Sequence, residues 1–301
     1  MLLLVTPNEM LGQGLTLVGH KESRLGRLSK GKKEELFRAD FGKDPIVLTK
    51  VWEALQTTSV PNAKIHQASE KDLSAFLWTF HWMTCYPTEA SLESRTGWCD
   101  KVIRERLKAM VKKIALLKSE KIVWPASWSD PNAQSPIFLC SVDGTHCPIQ
   151  EPTKGHKYSK NPKYYSHKHN QAGLAYEVAI SIFTNRVVWI SKPYPAGTKD
   201  PDIFADHLKN LIPKGKKVIA DNAYKRIDFP MISLTNKADS PAVRLFKRRV
   251  RARHESFFGK MKVFDVLTTV FRHGEEHHNT CFLACAVACQ FQIDVTPLFD
   301  P

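Results

Sequence analysis

Three acids carry the chemistry that the sequence offers. Asp143 and Asp221 each close a short apolar run, 137–142 and 217–220, that reads as a buried strand. At the carboxyl ends of strands in an α/β sheet the chain opens into loops facing solvent, and ligands collect there. Glu255 is the single acid among eight Lys and Arg in residues 244–262, the most basic stretch of the chain. Three convergent carboxylates repel one another unless cations join them. Hard, oxygen-seeking ions such as Mg²⁺ or Mn²⁺ relieve that repulsion, and two of them are the usual arrangement for in-line displacement at a phosphodiester. On a helix through this stretch, Arg251 falls one turn before Glu255 and Lys262 two turns after, on one face. Arg251 can pair there with the carboxylate or with a phosphate, and Lys262 can reach a phosphate. The plainer reading is three unconnected surface or capping acids and an intrahelical ion pair worth roughly 0.2–0.5 kcal/mol.

The elements that must hold these residues change character along the chain. Residues 71–117 are helical in pattern: Leu73, Phe76, Leu77 and Phe80 follow i, i+3, i+4, i+7 spacing. Pro87 breaks the run, Thr88 suits an N-cap for a short helix to 92, Gly97 turns, and a longer helix starts near Asp100. Ile103, Leu107, Met110, Ile114 and Leu117 form its apolar stripe, with Lys101, Arg104, Lys108 and Lys112 outside it. This is a helix-turn-helix outline with a basic outer face, and an ordinary three-helix bundle fits the pattern equally well. Residues 125–136, with three prolines, read as a linker. Beyond it the pattern predicts strands at 137–142, 172–183, 186–190 and 217–220, and helices at 202–211, 245–266 and 276–293. Strands followed by helices indicate an α/β domain over 137–301, preceded by a helical domain at 66–124. Residues 1–65 form a poorly defined N-terminal extension, with a basic surface arm at 21–33 and a short helix near 44–55.

The chain has 301 residues and a net charge of +14. The excess is +5 over residues 1–140 and +9 over 141–301. Such a charge points either to a polyanion such as nucleic acid or to a merely soluble basic surface. The longest apolar run, 281–289, has nine residues, far short of the roughly 18 a membrane span needs. The opening run 1–5 is too short for a signal sequence and meets Pro7 at once. The seven cysteines contain no CxxC, and they are expected as reduced thiols rather than a disulfide frame or zinc finger. Other candidates favour plain readings. His156, His167 and His169 sit among lysines in a solvated or phosphate-facing loop rather than a zinc site. His273, His277 and His278 have helical spacing without cysteine neighbours. Cys281, Cys285 and Cys289 make one helical face suited to core packing, and adjacent His146 and Cys147 are poorly placed to act as a nucleophilic pair.

Ser141-Val142-Asp143-Gly144-Thr145-His146-Cys147-Pro148-Ile149 resembles the first-aspartate motif of DDE superfamily transposases of the PIF/Harbinger kind. Val218-Ile219-Ala220-Asp221-Asn222-Ala223-Tyr224 resembles the second, and Arg251-Ala252-Arg253-His254-Glu255 with Lys262 is similar to the third. Residues 166–170, Tyr176-Glu177 and Gly197-Thr198-Lys199-Asp200 lie between them in the family's order, and 76–113 resembles its helix-turn-helix. Two positions depart: Ala223 stands where the family has Gly, and Arg248 where a related bacterial signature has Tyr.

The resemblance implies an RNase H-like catalytic domain at 137–301 behind an all-α helix-turn-helix domain. Asp143, Asp221 and Glu255 would be both catalytic and metal ligands for two Mg²⁺ or Mn²⁺ ions. Water would free a 3′-OH at a transposon end, and that 3′-OH would join target DNA. Lys101, Arg104, Lys108, Arg248, Arg249, Arg251, Arg253 and Lys262 would bind DNA. The implied partners are double-stranded DNA, as terminal inverted repeats and target, a separate helper DNA-binding protein and a second copy of the chain, with no membrane. The implied location is the nucleus in a eukaryote and the cytoplasm otherwise. A domesticated, catalytically inactive DNA-binding descendant of such a transposase is the alternative.

Overall fold

The computed structural model describes residues 2–130, 135–152, 161–226 and 228–301. The chain divides into two units: Met1–Lys121 with Met261–Thr268 and Glu276–Val295, and Ile122–Lys260 with Thr269–Glu275 and Thr296–Pro301. The first begins with helices α1 (Pro7–Leu17), α2 (Glu22–Leu25), α3 (Lys30–Phe41), α4 (Pro45–Thr57), α5 (Glu70–Cys85), α6 (Glu89–Thr96), α7 (Asp100–Leu116) and α8 (Lys118–Lys121). Local chemistry sets their limits. Ser69 and Asp72 make a reciprocal cap at the start of α5, and the Thr88 hydroxyl accepts from the Ser91 amide at the start of α6. Gly97 ends α6 at a φ of 69°, where a side chain is strained. Residues 1–65 are thus four helices rather than an ill-defined extension, and the basic stretch after Ser29 opens α3 instead of forming a free arm. Their apolar faces explain it: Met10, Phe37, Phe41, Leu48 and Trp52 are fully buried.

The second unit is a mixed sheet with helices. Its elements are β1 (Phe138–Pro148), β2 (Tyr165–Ser166), β3 (Gln171–Ser181), β4 (Val187–Ile190), β5 (Tyr194–Pro195), α9 (Asp200–Asp206), α10 (Leu208–Leu211), β6 (Lys217–Ile219), β7 (Ile232–Ser233) and α11 (Pro241–Met261). The sheet order is β2-β3-β1-β6-β7, with β4 and β5 also on β3. β3 runs antiparallel to β1, while β6 runs parallel to β1 and β7 parallel to β6. Leu139, Val142, Ala179, Phe204 and Val218 fill one core cluster. Trp128 joins that cluster and meets Trp124 edge-on at 4.8 Å, so the proline-rich stretch expected as a linker contributes to the core. The remainder of it, 131–134, lies outside the described residues.

The chain then returns to the first unit as α12 (Asp265–Thr268) and α13 (Glu275–Val295). The Cys281, Cys285 and Cys289 face is fully buried there, and the Cys285 thiol lies 3.9 Å from the Met83 sulfur of α5. No helix among the described residues is long and apolar enough to cross a membrane.

Candidate active site

Strand register places the first two acids. β1 and β6 are parallel, and their last pair is Ser141 with Ile219. Asp143 and Asp221 each stand two residues beyond that pair, so both lie at the same end of the parallel β1–β6 pairing. Asp143 does not end its strand, as the sequence suggested. β1 continues to Pro148, held on its other side by β3 through the pair Pro148 and Gly173. Asp221 opens a single 3-10 turn, its Oδ1 accepting from the Ala223 amide at 2.8 Å. Ala223 has no left-handed backbone, which is why alanine serves where the family has glycine.

Asp143, Asp221 and Asp200 line one concavity with Lys168, Lys199 and His169. Desolvation raises the Asp143 pKa to about 6, with Asp221 and Asp200 pushing the same way and the Gly144 amide and Arg251 opposing. Asp200 is also raised, by burial and then by Asp221. Gly144 lets Asp200 approach, because a Cβ there would lie 3.0 Å from the Asp200 Oδ1. Behind these, Glu177 is 1% exposed on β3, opposite Gly144 in register. Neither of its carboxylate oxygens completes a hydrogen bond of good geometry, although the Tyr224 hydroxyl lies near. Burial drives its pKa well above the carboxylate range. A concavity with several oxygen donors, protonation favoured by burial and mutual repulsion, suits a hard divalent cation.

Asp200 and Glu177 are the residues that reading for strand-ending acids passes over. Asp200 opens α9 and ends no strand. Glu177 interrupts an otherwise apolar strand, a placement that signals a buried charge.

α11 supplies the third motif, and the structure separates its residues by role. The His254 Nε2 lies 2.9 Å from the Ser141 hydroxyl, two residues before Asp143, and His254 is fully buried. Desolvation lowers its pKa to about 3. Arg253, expected on DNA, is 2% exposed. Its guanidinium donates to the carbonyls of Ser181, Ile182 and Thr184 and to the Asn185 Oδ1 at 2.6–3.3 Å, binding the end of β3. Arg248, Arg249 and Arg251 are exposed, and the Arg251 charge is felt by Asp143. Glu255 is exposed and does not line the concavity. Lys262 lies in the turn directly past the last residue of α11. Among the described residues, the ligand atoms of Asp143, Asp221 and Glu255 do not all come within 4.8 Å of one another, a condition met only by Asp40, His81 and Cys85.

In the helical unit, α7 presents Lys101, Arg104 and Lys108 to solvent. Arg104 is held by Glu89 at 3.0 Å and by Asp100, while among the described residues Lys101 and Lys108 enter no ion pair. Trp78 and Trp82 are buried in the core, whereas Trp98, grouped with them by its place in the helical segment, is half-buried with the Arg106 guanidinium 4.4 Å over its ring. His156 lies outside the described residues; His169 stacks on His146 at 4.4 Å, and Cys147 is buried.

Residues 142–290 match the family described as DDE superfamily endonuclease. No curated protein and no solved structure matches the chain.

Proposed function

We infer, from a chain whose residues 142–290 belong to the DDE superfamily endonucleases, that this protein is a transposase that cuts DNA at transposon ends and joins the freed 3′-OH to target DNA. The observation that carries the reading is the convergence of Asp143 and Asp221 at one end of the parallel β1–β6 pairing, in a concavity they share with Asp200. In this reading 137–301 is an RNase H-like catalytic domain. Asp143 and Asp221 hold two Mg²⁺ or Mn²⁺ ions, and Glu255 completes one site. When bound, those ions supply an activated water and a clamp on the attacking and leaving oxygens. Arg251 offsets carboxylate charge and orients phosphate, while Arg248, Arg249 and Lys262 grip the DNA backbone. α5, α6 and α7 act as a helix-turn-helix, with Lys101, Arg104 and Lys108 toward DNA. Terminal inverted repeats, target DNA, a helper DNA-binding protein and a second copy are the proposed partners, and the nucleus is the proposed location in a eukaryote.

A second reading rests on one observation: exposed Glu255 stands outside the concavity. A domesticated descendant would then bind DNA without cutting it. A nicking assay on terminal-repeat DNA with Mn²⁺ separates the two. Wild type should nick, and Asp143→Asn should lose roughly a hundredfold or more, since the ions it would hold supply several kcal/mol of charge stabilisation. Equal signals from the two proteins would sink the nuclease reading and leave the DNA-binding one.

A further inference from the structure

Away from the carboxylate concavity, the helical unit brings together a carboxylate, an imidazole and a thiol. Asp40 is the penultimate residue of α3, and His81 and Cys85 lie one turn apart near the end of α5, on one helical face. One ligand atom from each lies within 4.8 Å of the other two. The His81 Nδ1 is 3.9 Å from the Asp40 Oδ1 and 3.8 Å from the Cys85 sulfur. Bond lengths of roughly 2.0–2.3 Å at tetrahedral zinc set ligand-to-ligand edges of roughly 3.4–3.6 Å. The two His81 separations exceed these by a few tenths of an ångström. The other oxygen of Asp40, Oδ2, lies 3.1 Å from the His20 Nε2, the kind of outer hydrogen bond that orients a ligating carboxylate. His81 is buried and Cys85 half-buried, so the cluster has a fixed floor and an accessible thiol.

We propose that Asp40, His81 and Cys85 form a zinc site, with water in the fourth position and His20 holding Asp40 in place. Thiolate and imidazole together select zinc over Mg²⁺ or Mn²⁺, which sets this site apart chemically from an all-oxygen one. Binding releases the Cys85 thiol proton to solvent. It also takes the His81 Nδ1 from the Asp40 carbonyl oxygen, 3.1 Å away. That contact, with Arg95 at 3.4 Å from the Nε2, defines the competing state, in which His81 is only a hydrogen-bonding strut.

The two states are told apart by titrating the chelator-stripped full chain with Co²⁺. Wild type should develop a thiolate-to-cobalt charge-transfer absorption saturating at one ion per chain and lost on adding Zn²⁺. Asp143→Asn should keep it, Cys85→Ser should abolish it, and His20→Gln should weaken cobalt affinity about 10–100-fold. Circular dichroism checks that Cys85→Ser is folded. No absorption in wild type, or absorption surviving in Cys85→Ser, overturns the site. If Cys85→Ser does not fold, unchanged affinity in His20→Gln overturns it.

Discussion

Asp143 is a carboxylate whose surroundings oppose its charge. Desolvation comes first, then Asp221 and Asp200, with Arg251 on the other side. Carbon-detected NMR titration of the metal-free chain should therefore find Asp143 near pH 6. Asp200→Asn should lower that midpoint and Arg251→Ala should raise it; opposite movements would mean that these groups do not face Asp143. Arg253 invites a different measurement. It serves four acceptors at the end of β3, so Arg253→Ala should cost about 2–5 kcal/mol in urea unfolding, with DNA affinity per folded molecule unchanged. Sequence alone placed Arg253 with its exposed neighbours because a basic run looks solvated. Only the carbonyls of β3, some 70 residues earlier in the chain, reveal the other use. The same limit hid Asp200, whose proximity to Asp143 depends on the absence of a Cβ at Gly144.

At the scale of elements, α11 is fastened to the sheet from the inside. His254 buries a neutral imidazole against Ser141. Its pKa is depressed from 6.5 to about 3, so the folded state binds fewer protons than the unfolded chain across that window. The contribution is complete above pH 6.5 and lost as pH falls toward 3, with a slope of at most about 1.4 kcal/mol per pH unit. His254→Gln should flatten that part of the acid-unfolding curve; an unaltered curve would mean that His254 is accessible to protons when folded. Both acid-bearing strands were readable as short continuous apolar runs, and this helix from its length and composition. Two boundaries were not. β1 passes Asp143 because β3 pairs with it to Pro148, a partnership that Gly144, Thr145 and His146 do not announce. The sequence predicted a helix over 245–266, yet α11 ends at Met261, and Phe264 and Val266 beyond it are fully buried in the first unit. Burial of the residues beyond its end overrides local propensity there.

Over the whole molecule, the charge of +14 becomes meaningful only once burial sorts it. Lys247 and Arg253 are spent on internal partners, whereas Arg248, Arg249 and Arg251 remain at the surface. A plot of log K against log salt for DNA should fall by about 0.9 per phosphate neutralised. The double change Arg248→Ala with Arg249→Ala should reduce that slope by about 1.8, and a slope insensitive to it would remove α11 from the DNA surface. The helical unit also has a peculiarity of assembly. Its core needs α13, whose Cys281, Phe282, Cys285 and Cys289 are fully buried, yet more than 150 residues separate Lys121 from Glu276. At ribosomal speeds of about 5–20 residues per second, that interval is about 8–30 seconds. During translation the first eight helices must wait with an open apolar face, which makes the nascent chain, more than the finished protein, the form that needs a chaperone.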